Sequence, residues 1–254
     1  MIIIDHDHPA YRRKWAQAGK NKWNGAFYYS TEIVKNIIPN VDTDRNWITV
    51  NIQGTGCDHA VVFIHNNKHP ENYAWLKKYK DIVLVCGIPE TVDLVKEYGA
   101  AIYLPISVDV EYVKPFCVDK KTKKAAFVGR PAKRRGIRLP EGIDYLEGLP
   151  RDEMLKRMAE YETVYAVGRT AIEARILGCN VEAYDPRFPD PERWEVIDNL
   201  EAAKILQDKL NDIDKQEEPS MDWTRAKLVE YAEARGIEVK AKESKAKILE
   251  KING

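Results

Sequence analysis

The stretch at residues 164–186, VYAVGRTAIEARILGCNVEAYDP, sets short apolar runs on either side of one segment with helical spacing. Residues 163–167 are β-branched, aromatic or small and stop at Gly168, the pattern of a buried strand closed by a turn. Residues 171–177 have the helical period and stop at Gly178. Residues 181–184 read as the next strand, closed by Asp185-Pro186. A strand, a helix and a strand in direct succession make a crossover unit, so the stretch predicts an α/β fold with a mostly parallel sheet.

The same alternation runs outward in both directions. Upstream, residues 125–128 form a strand candidate ending in Gly129-Arg130, residues 143–146 another, and residues 150–161 a helix. Further back, strands are expected at 2–4, 48–52, 60–64, 82–85 and 102–104. Helices are expected at 30–38, with Ser30 or Thr31 as N-cap, and at 89–98, stopping at Gly99. The two α/β series meet near residues 109–124, which predicts two Rossmann-like domains, 1–110 and 111–213, with a cleft between them. A long helical pattern at 191–213 is expected to pack back across that cleft. Residues 214–222, DKQEEPSMD, are polar and contain Pro, so they read as a linker. Residues 223–254 read as a small module of two helices, 224–235 and 244–252, joined by an extended segment at 237–243. So short a piece buries little core by itself.

Composition narrows the function classes. The chain has 254 residues, 44% hydrophobic and 31% charged, an ordinary globular balance. Its 40 basic and 40 acidic residues cancel, so no global field draws it onto nucleic acid, and any such contact needs a local basic patch. Cys57, Cys86, Cys117 and Cys179 stand apart among apolar neighbours, without a CxxC pair. That spacing argues against a zinc site or a disulfide framework and predicts four buried small hydrophobes. The opening apolar run is too short for a signal peptide or a membrane span, so a soluble cytoplasmic protein without a membrane partner is expected.

Two stretches carry candidate chemistry. In AAFVGRPAKRRG, residues 125–136, a strand ends in Gly129 and is followed by Arg130, Lys133, Arg134 and Arg135. Cations and backbone N–H groups at the carboxyl edge of such a sheet suit a diphosphate, although a solvated basic loop has the same composition. In the second stretch, Gly168, Arg169 and Thr170 precede a helix whose free N–H groups favour an anion. Glu173 lies one turn inside that helix, where its carboxylate either reaches a ribose diol or complements the helix dipole.

These two stretches, with LPRDEMLKRMAEY between them, resemble the donor-binding domain of GT-B glycosyltransferases. In that family a later G-x-x-x-x-E-A-x-x-x-G-x-x-V element grips the nucleotide, and Gly168, Glu173, Ala174, Gly178 and Val181 match it in order and spacing. YLPISVDVEYV, residues 103–113, is similar to the family's inter-domain connection. The resemblance implies a metal-independent transferase that needs no cofactor and takes a nucleotide-diphosphate sugar as donor. It implies donor-binding roles for Gly129, Arg130, Lys133, Arg134, Gly168, Arg169, Thr170 and Glu173. Retaining members often carry a second Glu eight residues before the ribose-binding one; here Tyr165 stands there, which favours an inverting mechanism.

An inverting enzyme needs a base. Asp7 and His8, at the end of the first strand, and His65, at the end of AVVFIH, are the candidates, with a structural loop as the plain alternative. Asn66 is placed to bond a sugar hydroxyl, and the early aromatics Trp15, Trp23, Tyr28 and Tyr29 read as core or stacking groups. The C-terminal module resembles the helix–extended loop–helix family related to LEM and SAP modules through Leu228, Tyr231, Ala232, Gly236, Ile237, Lys245 and Ile248. That resemblance implies contact with nucleic acid or protein. Eight Lys/Arg against six Asp/Glu in residues 220–254 give little net field, but Lys240, Lys242, Lys245 and Lys247 concentrate on one segment. The combined expectation is a phage-type enzyme that glycosylates a modified base in DNA. A transferase acting on another acceptor, and a non-catalytic nucleotide- or DNA-binding protein, are the alternatives.

Overall fold

The computed structural model describes residues 1–5, 7, 9, 25–50, 57–64, 70–129, 136–217, 219–234, 236–240 and 242–253. Among these residues the chain forms two parallel sheets with helices between the strands. The first sheet holds β1 (Ile3–Ile4), β2 (Asn46–Ile48), β3 (Ala60–Ile64), β4 (Ile82–Cys86) and β5 (Ala100–Tyr103), side by side in chain order. Every residue of β3 and β4 is buried, which is why AVVFI and IVLVC are unbroken apolar runs rather than alternating ones. The second sheet holds β6 (Lys123–Val128), β7 (Asp144–Leu146), β8 (Tyr161–Tyr165) and β9 (Asn180–Glu182), in the order β7-β6-β8-β9.

The two sheets wind differently. In the first, each strand is laid beside its predecessor in one direction, so no neighbouring pair sends its following loops apart. A Rossmann order reverses, and this sheet does not. In the second, β6 leads to β7 on one side while β8 lies on the other. The loops that leave β6 and β8 therefore diverge, and a crevice opens outside their carboxyl ends.

Several elements differ from the pattern read along the chain: the strand expected at 48–52 lies at Asn46–Ile48, and the helix expected at 89–98 ends at Val95. The first described helix, α1 (Gly25–Glu32), begins before Ser30 and passes into a π-helical turn at Ile33–Ile37 and a 3₁₀ turn at Ile38–Asn40. Ser30 is no N-cap: its hydroxyl shares a buried 2.7 Å hydrogen bond with that of Thr49. The helical pattern at 191–213 resolves into a 3₁₀ turn, Pro191–Arg193, and the helix α6, which follows α2 (Pro89–Val95), α3 (Val110–Val113), α4 (Arg151–Met158) and α5 (Arg169–Ile176). Helix α6 spans Asn199–Glu217, so residues 214–217 are helical rather than linker. Their Lys, Gln and Glu favour a helix, and Pro219 sets its limit. Asp198 accepts the N–H of Leu200 at 2.8 Å and starts α6 there.

The chain divides into two compact units, Met1–Gln207 and Asp208–Gly254, and both sheets belong to the first. In the second, α7 (Arg225–Ala234) and α8 (Lys245–Asn253) share a small core of Leu228, Ala232, Ile248 and Leu249. No helix among the described residues is long and apolar enough to cross a membrane. Cys57, Cys86 and Cys179 are buried, but Cys117 is exposed, with its thiol 3.4 Å from the carbonyl of Ile176. The expectation of four buried cysteines fails there because the chain leaves the core after its 3₁₀ turn at Lys114–Phe116.

Gly99 owes its place to close approach, not to helix capping. A Cβ there would stand 2.5 Å from the carbonyl oxygen of Ile82, where β4 begins. Gly99→Ala therefore forces the backbone of β4 or β5 to shift, and should destabilise the protein by about 1–3 kcal/mol. Urea unfolding followed by circular dichroism measures this as a lower midpoint at unchanged slope.

Candidate functional site

Helices α4 and α5 both begin with arginine, Arg151 after Pro150 and Arg169 after Gly168. A cation at a helix N-terminus opposes the helix dipole and needs an anion nearby. Gly168 sits at φ 63°, ψ −140°, a conformation open only to glycine, which turns the chain sharply from β8 into α5. Helix α4 leads into β8 and α5 follows it, so both helices start at the carboxyl edge of the second sheet.

The two guanidinium groups meet two buried carboxylates. Arg151 Nη1 bonds Glu32 Oε1 at 2.6 Å, while its Nη2 and Nε bond Glu173 Oε1 at 2.9 and 3.2 Å. Arg169 Nη2 bonds the same Glu32 oxygen and lies 3.1 Å from Glu173 Oε1. Both arginine side chains are only 10% exposed, and those of Glu32 and Glu173 are 7% and 3% exposed. Glu32 Oε2 accepts from the Asp109 N–H at 3.2 Å and from Asn199 Nδ2 at 3.3 Å. Burial opposes the charge on Arg151, but Glu173 and Glu32 more than offset it and raise its pKa above the usual arginine range. Aromatic rings flank the pair. Tyr112 lies 4.6 Å and Tyr28 5.5 Å from the Arg151 guanidinium, and Tyr28 is 5.7 Å from that of Arg169. Burial, with the Asp152 carboxylate to which it donates, pushes the Tyr112 hydroxyl up to about 12.

Two positive and two negative charges balance, yet the hydrogen bonds do not. Nε and Nη1 of Arg169 are buried and have no hydrogen-bond partner among the described residues. Glu32 closes α1, from the half of the chain that builds the first sheet, whereas Arg151, Arg169 and Glu173 belong to the second. The cluster thus ties the halves of the first unit together. Nearby, Ser107 donates to Asn199 at 2.8 Å, and Arg193 pairs with Glu90 at 2.9 Å.

A cavity of about 300 Å³ reaches α5 at Ile172, with Gly87 after β4, Pro105 and Ile106 after β5, and Trp194 also in its walls. Ile172 is one helical turn beyond Arg169. A Cβ placed on Gly168 would stand 3.9 Å from Ile106 Cδ1, so the start of α5 borders the same space.

Of the residues singled out in the sequence, Gly168, Arg169, Thr170 and Glu173 come together at the start of α5. Gly129 closes β6, where an added Cβ would meet Phe127 Cζ at 2.9 Å. Arg130, Lys133, Arg134, His8, His65 and Asn66 lie outside the described residues. Asp7 is exposed beyond β1 and donates its N–H to Asp5 Oδ1 at 2.9 Å. Lys240, Lys242 and Lys247 are exposed, while Lys245 gives its ammonium to the carbonyls of Met221 and Trp223, at 2.5 and 2.8 Å. Glu32 and Arg151 were missed. The signal for Arg151 was present in LPRDEM, a cation at the first position of a helix, where the dipole disfavours it.

Removing one member of the cluster leaves a buried charge uncompensated. Glu173→Ala should therefore cost about 3–5 kcal/mol of stability, far more than truncating an exposed glutamate. Pairing it with Arg151→Met should cost less than the two single changes together, and a double-mutant cycle on urea midpoints measures that coupling.

No protein-family model matches this chain, and no curated protein matches its sequence.

Proposed function

We propose that the chain is the core of a glycosyltransferase that takes a nucleotide-diphosphate sugar as donor and binds it outside the carboxyl ends of β6 and β8. The observation that carries this reading is the reversal of strand order in β7-β6-β8-β9. Ligands of open α/β sheets bind where neighbouring strands send their loops apart, and the loops that part here are those that begin at Gly129 and Gly168. The first loop supplies Arg130, Lys133 and Arg134 for the diphosphate, and the second supplies the free N–H groups at the start of α5. Glu173 acts in donor binding through the two arginines that its carboxylate holds.

In this reading the halves of the first unit are the two α/β domains of a GT-B enzyme, the first with a sheet that winds one way, and the cavity between them receives the reacting sugar. In the sequence Asp7 and His8 follow β1 and His65 follows β3. One of them takes the proton from the acceptor hydroxyl as the sugar is transferred. The residues after 222 serve the acceptor. Lys227 lies 3.7 Å over the Trp223 ring, and Lys240, Lys242 and Lys247 are exposed further along the same unit, a combination that suits nucleic-acid phosphates and bases.

Under this reading a nucleoside diphosphate at a hundred times its Kd should stabilise the protein by about 2.7 kcal/mol, seen as a higher Tm in a thermal-shift titration. Arg130→Ala with Lys133→Ala should remove most of that shift while leaving the Tm of the free protein unchanged. A full shift in the double variant argues against the assignment. Nucleotide-sugar hydrolysis measured across a panel of sugars then identifies the donor.

The acceptor is tested separately. In an electrophoretic shift assay, DNA should bind at low salt and be released as salt rises, with a shallow slope because few lysines contribute. Gln at Lys240, Lys242 and Lys247 should flatten the slope further and leave nucleotide binding intact. No shift at low salt turns the reading to a protein or small-molecule acceptor.

A further inference from the structure

The cluster of Arg151, Arg169, Glu32 and Glu173 has more donors than acceptors. Each guanidinium carries five N–H bonds in a rigid fork. Those of Arg151 are directed to Glu32 and Glu173, but Arg169 uses only Nη2, and its buried Nε and Nη1 have no partner among the described residues. A buried unpaired donor is costly, and two on one charged group call for an explanation. The surroundings supply one. The eight-residue helices Arg151–Met158 and Arg169–Ile176 each begin with one of these arginines, and both guanidinium groups converge on a single carboxylate oxygen, Glu32 Oε1. That environment is built for more negative charge and more acceptor oxygens than one carboxylate offers.

We infer that Arg151 and Arg169 form an anion site for a phosphate or diphosphate group, and that Glu32 is a tethered carboxylate which the phosphate displaces. Glu32 comes from the opposite half of the unit, so it can withdraw while Glu173, on α5 itself, keeps both arginines in place. A phosphate oxygen takes over the bonds to Arg151 Nη1 and Arg169 Nη2, and the remaining oxygens satisfy Arg169 Nε and Nη1. In the unliganded state the Asp109 N–H and Asn199 Nδ2 hold the carboxylate through Oε2, so its withdrawal loosens those two bonds as well. The ligand class is the diphosphate of a nucleotide or free pyrophosphate. The nucleotide case rests on the function proposed above; the anion site does not.

Isothermal titration of the full chain with inorganic pyrophosphate and, separately, with nucleoside diphosphates tests this. Arg169→Gln should weaken pyrophosphate binding about tenfold or more, the scale of losing charge-assisted hydrogen bonds to a buried phosphate. Glu32→Gln removes the competing charge and should tighten binding by a similar factor, even though it lowers the Tm. Glu32→Asp, which shortens the side chain and keeps the charge, should tighten it less and serves as the probe if the Gln variant does not fold. If pyrophosphate binding depends on Arg169 but is unchanged or weakened in both Glu32 variants, Glu32 is a brace and the displacement is wrong. If pyrophosphate behaves as expected but no nucleoside diphosphate binds more tightly than pyrophosphate, the anion site stands and the nucleotide reading fails. If neither ligand binds the wild type or the folded Glu32 variants, both are overturned.

Discussion

The buried ion cluster of Glu32, Arg151, Arg169 and Glu173 is the constraint on which the first unit depends. Taking four charges out of water is expensive, and their attraction offsets that cost only when geometry is close and lone pairs are filled. Here one oxygen of each carboxylate serves both arginines, and Glu32 turns its second oxygen to Asp109 and Asn199. Asp109 lies between the two sheets in sequence and Asn199 opens α6, so a single carboxylate fixes the connection, the return helix and the second sheet together. An apolar core of the same volume would hold these elements at lower electrostatic cost. The retained charges therefore point to use rather than to stability alone.

That use follows from where the sheet order reverses. The first sheet winds in one direction and offers β3 and β4 as a fully buried floor. The second reverses between β6 and β8, and the glycine after β8, at positive φ, turns the chain from the strand into α5. Backbone donors, two guanidinium groups and a neighbouring cavity then occupy one region of the molecule. Each feature is ordinary singly. Their coincidence at the carboxyl edge gives the diphosphate reading its weight.

The second unit has a different physical character. Its core is four buried residues, with Trp223, Ile237 and Ile252 packed against them. Lysines also clasp backbone carbonyls, Lys245 on Met221 and Trp223, and Lys251 on Glu238 at 2.8 Å. Lys245 is thus spent on holding the fold. Of the four lysines in the sequence cluster, Lys240, Lys242 and Lys247 are exposed.

By itself the sequence determined the parallel α/β class and the position of most strands, because a continuous run such as IVLVC or a strand-Gly-helix phrase such as VYAVGRT is decided by local period and local sterics. It was less clear at α1, where apolar spacing continues through Ile33, Val34 and Ile37 while the backbone passes from α to π to 3₁₀ geometry. It marked Gly168, Arg169 and Glu173 as a site, since the turn and the helix start are local events. It did not reveal Glu32 as their partner. Among 40 acidic residues one glutamate reads like another, and only tertiary packing brings a carboxylate within 3 Å of a guanidinium far along the chain. The strand order was likewise left to the tertiary structure, because the same alternation of strands and helices fits a sheet that winds one way and a sheet that reverses, and long-range packing alone chooses between them.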